Sequence, residues 1–323
     1  MKYDITVTLG PASNSEEVWR EMISSGVTSF RLNTSHMEAG EVEDMVKRIA
    51  AFTSKENTEL PIVLDLQGSK WRIGLVEAHE MKEGETVELT LSERSENKNE
   101  LPVPHEDFFK AALSSGKEIV LNDRKVVLSV EAVGINSITA RVEKGGPVSS
   151  RKGITFSDSH FRSESLKKKD SEIIKRMKTY NVRYTVSYVK DAEEMKRYRG
   201  LIGDGVYIIA KLERGESLRD ALRIKDYANE LWLCRGDLGA ELGLRKMAEA
   251  AAEFSGRVKD IPCPVILAGQ VLEHMTNFPE PTRSEVSYIY EALEKGFSGI
   301  VLSDETAVGN YPMEACRTAA MFR

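Results

Sequence analysis

Short apolar, β-branched runs alternate along the chain with stretches whose apolar positions recur every three or four residues. That alternation is the mark of parallel β/α architecture. Asp4–Leu9, Val27–Leu32 and Pro61–Asp65 read as the first three strands, with helices expected from about Ser15 to Ser24 and from Gly40 to Phe52. Ser13-Asn14-Ser15 followed by Glu16 and Glu17 is good helix-start chemistry, because the small polar side chains cap free N–H groups and the acids favour the positive dipole end. From about Trp71 to Lys152 the period changes to two, in ETVELTL, EIVLND, KVVLSVEAV and SITARVEKG. These predict half-exposed antiparallel strands in an inserted β-domain. The first rhythm resumes with a helix over Ser163–Tyr180 and strands at Arg183–Ser187, Val206–Lys211, Glu230–Cys234, Pro264–Ala268 and Gly299–Ser303.

Eight strands outside the insert, in about 240 residues, predict an α/β fold of the (β/α)8 barrel type with the β-domain inserted after the third strand. The expected division is residues 1–70 and 154–323 for the barrel and 71–153 for the insert.

Composition adds exclusions. The 323 residues are 41% hydrophobic and 30% charged, with a formal net charge of −6. No concentrated basic surface is expected, so nucleic acid and anionic membrane are poor partners. The cluster Lys167-Lys168-Lys169 reads as a solvated helix face. Cys234, Cys263 and Cys316 are odd in number and form no Cys-x-x-Cys pair, so buried structural thiols are expected. Neither a signal peptide nor a membrane span is visible, which makes a cytoplasmic location the expectation.

Sites in such barrels gather at the C-terminal strand ends. There the sequence places Arg31 to His36, Asp65 to Arg72, Ser187, Lys211-Leu212-Glu213, Arg235-Gly236-Asp237, Gly269-Gln270 and Ser303 to Thr306. Charged groups ending apolar strands are costly to bury unless paired or bound to metal. Glu213 and Asp237 follow neighbouring strands and could share a Mg²⁺, with Lys211 on the same face beside it. An ion-pair network bracing the barrel top remains the alternative. Arg235 to Gly239 reads as a strand–helix connection whose helix start could receive a carboxylate or phosphate. Arg31 and Arg72 could clamp phosphate oxygens, or serve in ion pairs.

In order along the chain, TLGPAS, RLNTSH, the run Asp65–Arg72, KGGPVSSRKG, AKLERGE, CRGDLGAEL, AGQVLEHM, PEPTRSEV and VLSDETAVGNYPMEA resemble the pyruvate kinase family from Thr8 to Ala315. That resemblance implies a (β/α)8 barrel with an inserted β-barrel lid. It implies phosphoryl transfer between phosphoenolpyruvate and ADP through a metal-stabilised enolate, with Mg²⁺ or Mn²⁺ as cofactor. Lys211, Arg31, Arg72 and Ser303 would be catalytic, and Glu213 and Asp237 would bind the metal. Gly236, Asp237 and Gly269 would meet the oxo acid. Asn33, Ser35, Asp65, Leu66 and Lys70 would surround the monovalent-cation position, and Pro11, His36 and Lys152 would line the adenine nucleotide side.

The sequence also departs from that family. Gly269 stands where a Thr is usual beside the carbon that is protonated, and Lys70 stands where a Glu is usual, so its ammonium is expected to replace K⁺. Gln67 replaces a Lys, and Tyr288 and Asp304 alter neighbouring positions. The family's C-terminal domain, with its sugar-phosphate regulation, is expected to be missing, leaving a homo-oligomer to form through the barrel. Two other functions stay open: an enolate-forming lyase or decarboxylase on the same scaffold, and a metabolite-binding paralogue without catalysis. The metal-plus-lysine set disfavours the paralogue, and His36 and Lys152 favour a kinase over a lyase.

Overall fold

A computed structural model describes residues 3–114, 117–122, 124–157, 166 and 168–323. The chain divides into two compact units: residues 1–68, 166–235 and 250–323 form one, and residues 69–165 and 236–249 the other.

The first unit is a closed parallel barrel. Its strands are, in chain order, Asp4–Leu9, Ser29–Asn33, Ile62–Leu66, Val182–Val186, Ile208–Leu212, Glu230–Cys234, Val265–Ala268 and Gly299–Leu302. Each pairs with the next, and the first pairs with the eighth to close the ring. Strand alternation then sorts the side chains. Val63, Ile209, Trp232, Cys234, Ile266, Ala268 and Val301 form one buried cluster on a single face of the sheet. Residues two further along share that face, so Asp65 follows Val63 and Lys211 follows Ile209. The register adds Arg31 opposite Val63, Thr8 opposite Arg31, and Thr185 opposite Asp65. A buried apolar plug therefore gives way to a polar layer toward the strand ends.

Helices follow the strands. Glu16–Ser24 is capped by Ser15, whose side chain accepts from the Val18 N–H at 3.2 Å. Ala39–Lys55 buries Val42, Val46, Ile49 and Phe52 at helical spacing, longer at both ends than the Gly40–Phe52 expected. The Ser163–Tyr180 expectation begins outside the described residues, as does Lys167; what is described there is a helix over Lys168–Arg176 and a 3₁₀ turn over Met177–Thr179. Cys234 and Cys316 are buried, while Cys263 is only half-buried. No helix among the described residues is long and apolar enough to cross a membrane.

The second unit is built on a six-stranded sheet. Its order across the sheet is Ile154–Phe156, Glu118–Leu121, Val126–Val133, Ser137–Lys144, Thr86–Thr90 and Glu100–Pro102. All neighbours are antiparallel except the last two, which run parallel. A two-stranded ribbon pairs His79–Met81 with Gly146–Val148. The helix Glu106–Ala112 was not expected. Phe108, Phe109, Ala111 and Ala112 are buried on it, and Phe108 stacks on Phe156 at 4.6 Å and meets the Trp71 ring edge-on at 5.2 Å.

Gly68 closes the third strand's exit in a left-handed conformation, φ +60°, and a Cβ there would lie 2.2 Å from the Ser187 carbonyl oxygen. Gly68→Ala should therefore lower unfolding stability by at least ~2 kcal/mol in urea titration. A wild-type midpoint in that variant would contradict this packing.

Candidate active site

The polar layer of the barrel centres on Asp65, which is buried and 4% exposed. Arg31 donates to its Oδ2 through Nε at 3.1 Å and through Nη2. Lys211 Nζ lies 3.3 Å from both carboxylate oxygens. Thr185 Oγ1 donates to Oδ1, with Ser187 Oγ at 3.3 Å. Burial alone would push this carboxyl up; Arg31 and Lys211 outweigh it and hold the group well below the usual carboxylate range.

Lys211 is in turn shared. Its ammonium is 2.9 Å from Glu213 Oε1 and 3.0 Å from Ser187 Oγ. Burial opposes the charged form, but Asp65 and Glu213 more than offset it and raise the group above the ordinary lysine value. An ammonium so held stays protonated at neutral pH. Arg31 is similarly committed, since its Nη1 donates to Thr8 Oγ1 at 2.6 Å. Two carboxylates and two cations thus form a cluster of balanced formal charge at the strand ends.

Glu213 is fixed from its other side as well. The Tyr188 N–H donates to Oε2 at 2.6 Å, from a residue with φ 65°. A bulky residue in the left-handed region costs on the order of 1–3 kcal/mol, and such residues gather at functional sites.

The remaining barrel residues singled out from sequence are placed as follows. Asn33 caps the 3₁₀ turn Thr34–His36, accepting from the Ser35 N–H at 3.2 Å. The Leu66 carbonyl accepts from Ser187 Oγ at 2.7 Å. His36 and Pro11 are exposed, Pro11 opening the 3₁₀ turn Pro11–Ser13. The Ser303 N–H donates to Glu305 Oε2 at 2.6 Å, while Leu272 N–H holds Glu305 Oε1 at 3.0 Å. Gly269, φ 81°, and Gln270, φ 54°, form a left-handed pair directly after the seventh strand.

In the second unit, Lys70 pairs with Asp237. Asp237 lies in the first turn of the helix Arg235–Leu242, which begins at once after the sixth strand where a connecting loop was expected. Gly236 and Asp237 therefore stand in the first turn of this helix, at its positive dipole end. Arg72 Nη1 donates to the Arg151 carbonyl at 2.7 Å, and its own N–H donates to His105 Nε2 at 3.0 Å. The Lys152 carbonyl accepts from the Ile73 N–H at 3.0 Å.

Sequence reasoning missed Lys169, read with Lys167 and Lys168 as a solvated helix face, and did not single out Asp170 beside it. Lys169 Nζ donates to the carbonyls of Thr34, Met37 and Ser35 at 2.9, 3.2 and 3.3 Å. Asp170 accepts from the N–H groups of Gly68 at 2.9 Å and Gln67 at 3.2 Å. The signal was present: Asp170, Ile173, Ile174 and Met177 are all buried and fall at i, i+3, i+4 and i+7 on one stripe.

Paired charges at the C-terminal strand ends of a closed β/α ring define the class: a (β/α)8-barrel protein with its polar site at that rim. The model of the pyruvate kinase barrel domain matches residues 1–316. The chain belongs to the pyruvate kinase family. It is 32% identical over 316 residues to a pyruvate kinase of Agrobacterium vitis, covering 96% of this chain and 65% of that protein. Pyruvate kinase 2 of Synechocystis sp. is 32% identical over 321 residues, 96% of this chain and 54% of the relative. A Thermotoga maritima pyruvate kinase is 32% identical over 319 residues, 97% of this chain and 68% of the relative. The chain thus spans less than two thirds of the first two relatives.

Asp170 and Glu305 are each pushed up to about 6, chiefly by burial. A carboxyl raised on folding adds stability below its unfolded value, and that stability is lost as pH climbs through 6. Asp170→Asn with Glu305→Gln should thus lose less stability than the parent between pH 4 and 7, by on the order of 1 kcal/mol or more in urea titrations. Parallel pH curves would show that these groups do not titrate as placed.

Proposed function

We propose that the chain transfers a phosphoryl group between phosphoenolpyruvate and ADP through a metal-stabilised enolate of pyruvate or a close oxo acid. One observation carries this reading: the Lys211 ammonium is buried against Asp65 and Glu213 and locked in its charged form. It acts as a fixed positive charge and not as a proton donor. A phosphoryl group in transfer spreads negative charge over its oxygens, and its passage depends on positioned cations more than on covalent help. Arg31 supplies a second cation, oriented by Asp65 and Thr8.

Glu213 and Asp237 would hold a divalent ion, Mg²⁺ or Mn²⁺. Both are carboxylates, the hard oxygen donors that Mg²⁺ takes, and Mg²⁺ needs only one or two of them beside water and substrate. When bound, the ion neutralises phosphoryl and enolate charge. In this reading the Gly236 and Asp237 N–H groups receive the substrate carboxylate, with Gly269 beside it. Arg72 and Ser303 assist transfer, and Pro11, His36 and Lys152 line the nucleotide. Asn33, Ser35, Asp65 and Leu66 make up the monovalent-cation set, with Lys70 in place of the ion. The segment 71–153 serves as the lid, and the partners are small molecules in the cytoplasm, with a homo-oligomer through the barrel.

Gly269 favours a second reading, an enolate-forming lyase or decarboxylase. Its φ of 81° suits glycine, so no hydroxyl stands there to orient a proton.

Steady-state assays with Mg²⁺ or Mn²⁺, phosphoenolpyruvate and ADP should yield pyruvate at rates indifferent to exchanging K⁺ for Na⁺. Lys211→Met should cut kcat by about 10²–10³-fold. Strong K⁺ stimulation would refute the role given to Lys70. Metal-dependent binding of oxalate, an enolpyruvate mimic, without pyruvate formation would favour the lyase.

A further inference from the structure

Arg235 opens the helix after the sixth strand and reaches across to the end of the seventh. Its Nε and Nη2 donate to the Gly269 carbonyl at 3.2 and 3.0 Å, and Nη2 donates also to the Gln270 carbonyl at 2.7 Å. The guanidinium carbon lies 4.4 Å from the centre of the Tyr288 ring. This uses one edge and one face of the guanidinium, whose donors lie in its plane and whose faces are left for stacking.

The two carbonyls so gathered belong to the consecutive left-handed residues Gly269 and Gln270. Gln270 in that region is unfavourable for a side chain with a Cβ, so the turn needs an outside restraint to persist. The restraint is a charge, and the charge is half-buried. A ring face beneath it lowers the cost of that partial burial and stops the guanidinium from swinging off the carbonyls.

We infer that Arg235 and Tyr288 are positioning residues that set the Gly269–Gln270 turn for an oxo-acid ligand. Tyr288 supplies its ring face for this, and not its hydroxyl. The inference rests on the proposed function only in taking the oxo acid to bind at the barrel's C-terminal strand ends, where the turn lies. A turn held for binding contributes equally to the bound ground state and the transition state. Losing the clamp therefore raises KM and spares kcat.

The test compares Tyr288→Phe, Tyr288→Leu and Arg235→Lys with the parent chain. Amide hydrogen exchange over residues 268–272 reports the turn. The KM for phosphoenolpyruvate with Mg²⁺ and ADP, and the Mg²⁺-dependent affinity for oxalate, report the ligand. Tyr288→Phe should match the parent in all three. Tyr288→Leu and Arg235→Lys should speed exchange, raise KM and weaken oxalate binding, each by about five- to tenfold, with kcat within about twofold. Faster exchange with unchanged KM and oxalate affinity would mean a purely structural clamp and overturn the inference, leaving the kinase reading intact. Equal impairment in the Phe and Leu variants would overturn the role of the ring. A parent that makes no pyruvate yet binds oxalate, with Leu weakened and Phe not, would uphold the clamp and reject the kinase. A parent that neither turns over nor binds oxalate would overturn both.

Discussion

A carboxylate taken out of water at the end of an apolar strand is tolerable only if its charge is met, and at Asp65 two cations meet it. Thr8, Arg31, Asp65, Thr185 and Lys211 come from the first five strands in succession; Arg31 joins Thr8 to Asp65, and Thr185 and Lys211 both meet Asp65. Thr8 carries it on to the eighth strand through the Leu302 carbonyl at 2.8 Å. With Glu213 the cluster has two negative and two positive groups, so removing any one leaves an uncompensated charge where water is scarce. The hydrogen bonds also fix direction. Lys211 cannot turn away without losing Asp65, Ser187 and Glu213 together.

That rigidity is what charge-stabilising catalysis asks of a protein. Cations already desolvated and oriented need no reorganisation when negative charge develops on a ligand. The backbone at the strand ends is constrained as well. Tyr188 accepts an unfavourable left-handed conformation and thereby sends its N–H to Glu213. Gly269 and Gln270 are turned so that both carbonyls reach Arg235. Tyr188 and Gln270 thus give up local comfort for the arrangement of another group.

Most of the barrel could be read from the chain, because its strands and helices announce themselves by period, and a closed ring then follows from their number. What period cannot give is partnership across long sequence separations. Nothing local to Arg31 says that its guanidinium is committed to Asp65, or that Lys70 pairs with Asp237. The helix Glu106–Ala112 was hidden in a stretch dominated by alternation, and Asp170 was masked by the lysines before it although it stands on an apolar stripe. The start of the helix at Arg235 was obscured by two glycines, which favour loops in isolation but here sit in the first turns.

A double-mutant cycle on Asp65→Asn and Lys211→Met, followed by urea unfolding at neutral pH, probes the central pairing directly. Each single change strands a charge that the other removes. A coupling energy of at least ~2 kcal/mol is expected. Additive effects, within about 0.5 kcal/mol, would mean that the carboxylate and the ammonium do not hold one another in the folded protein.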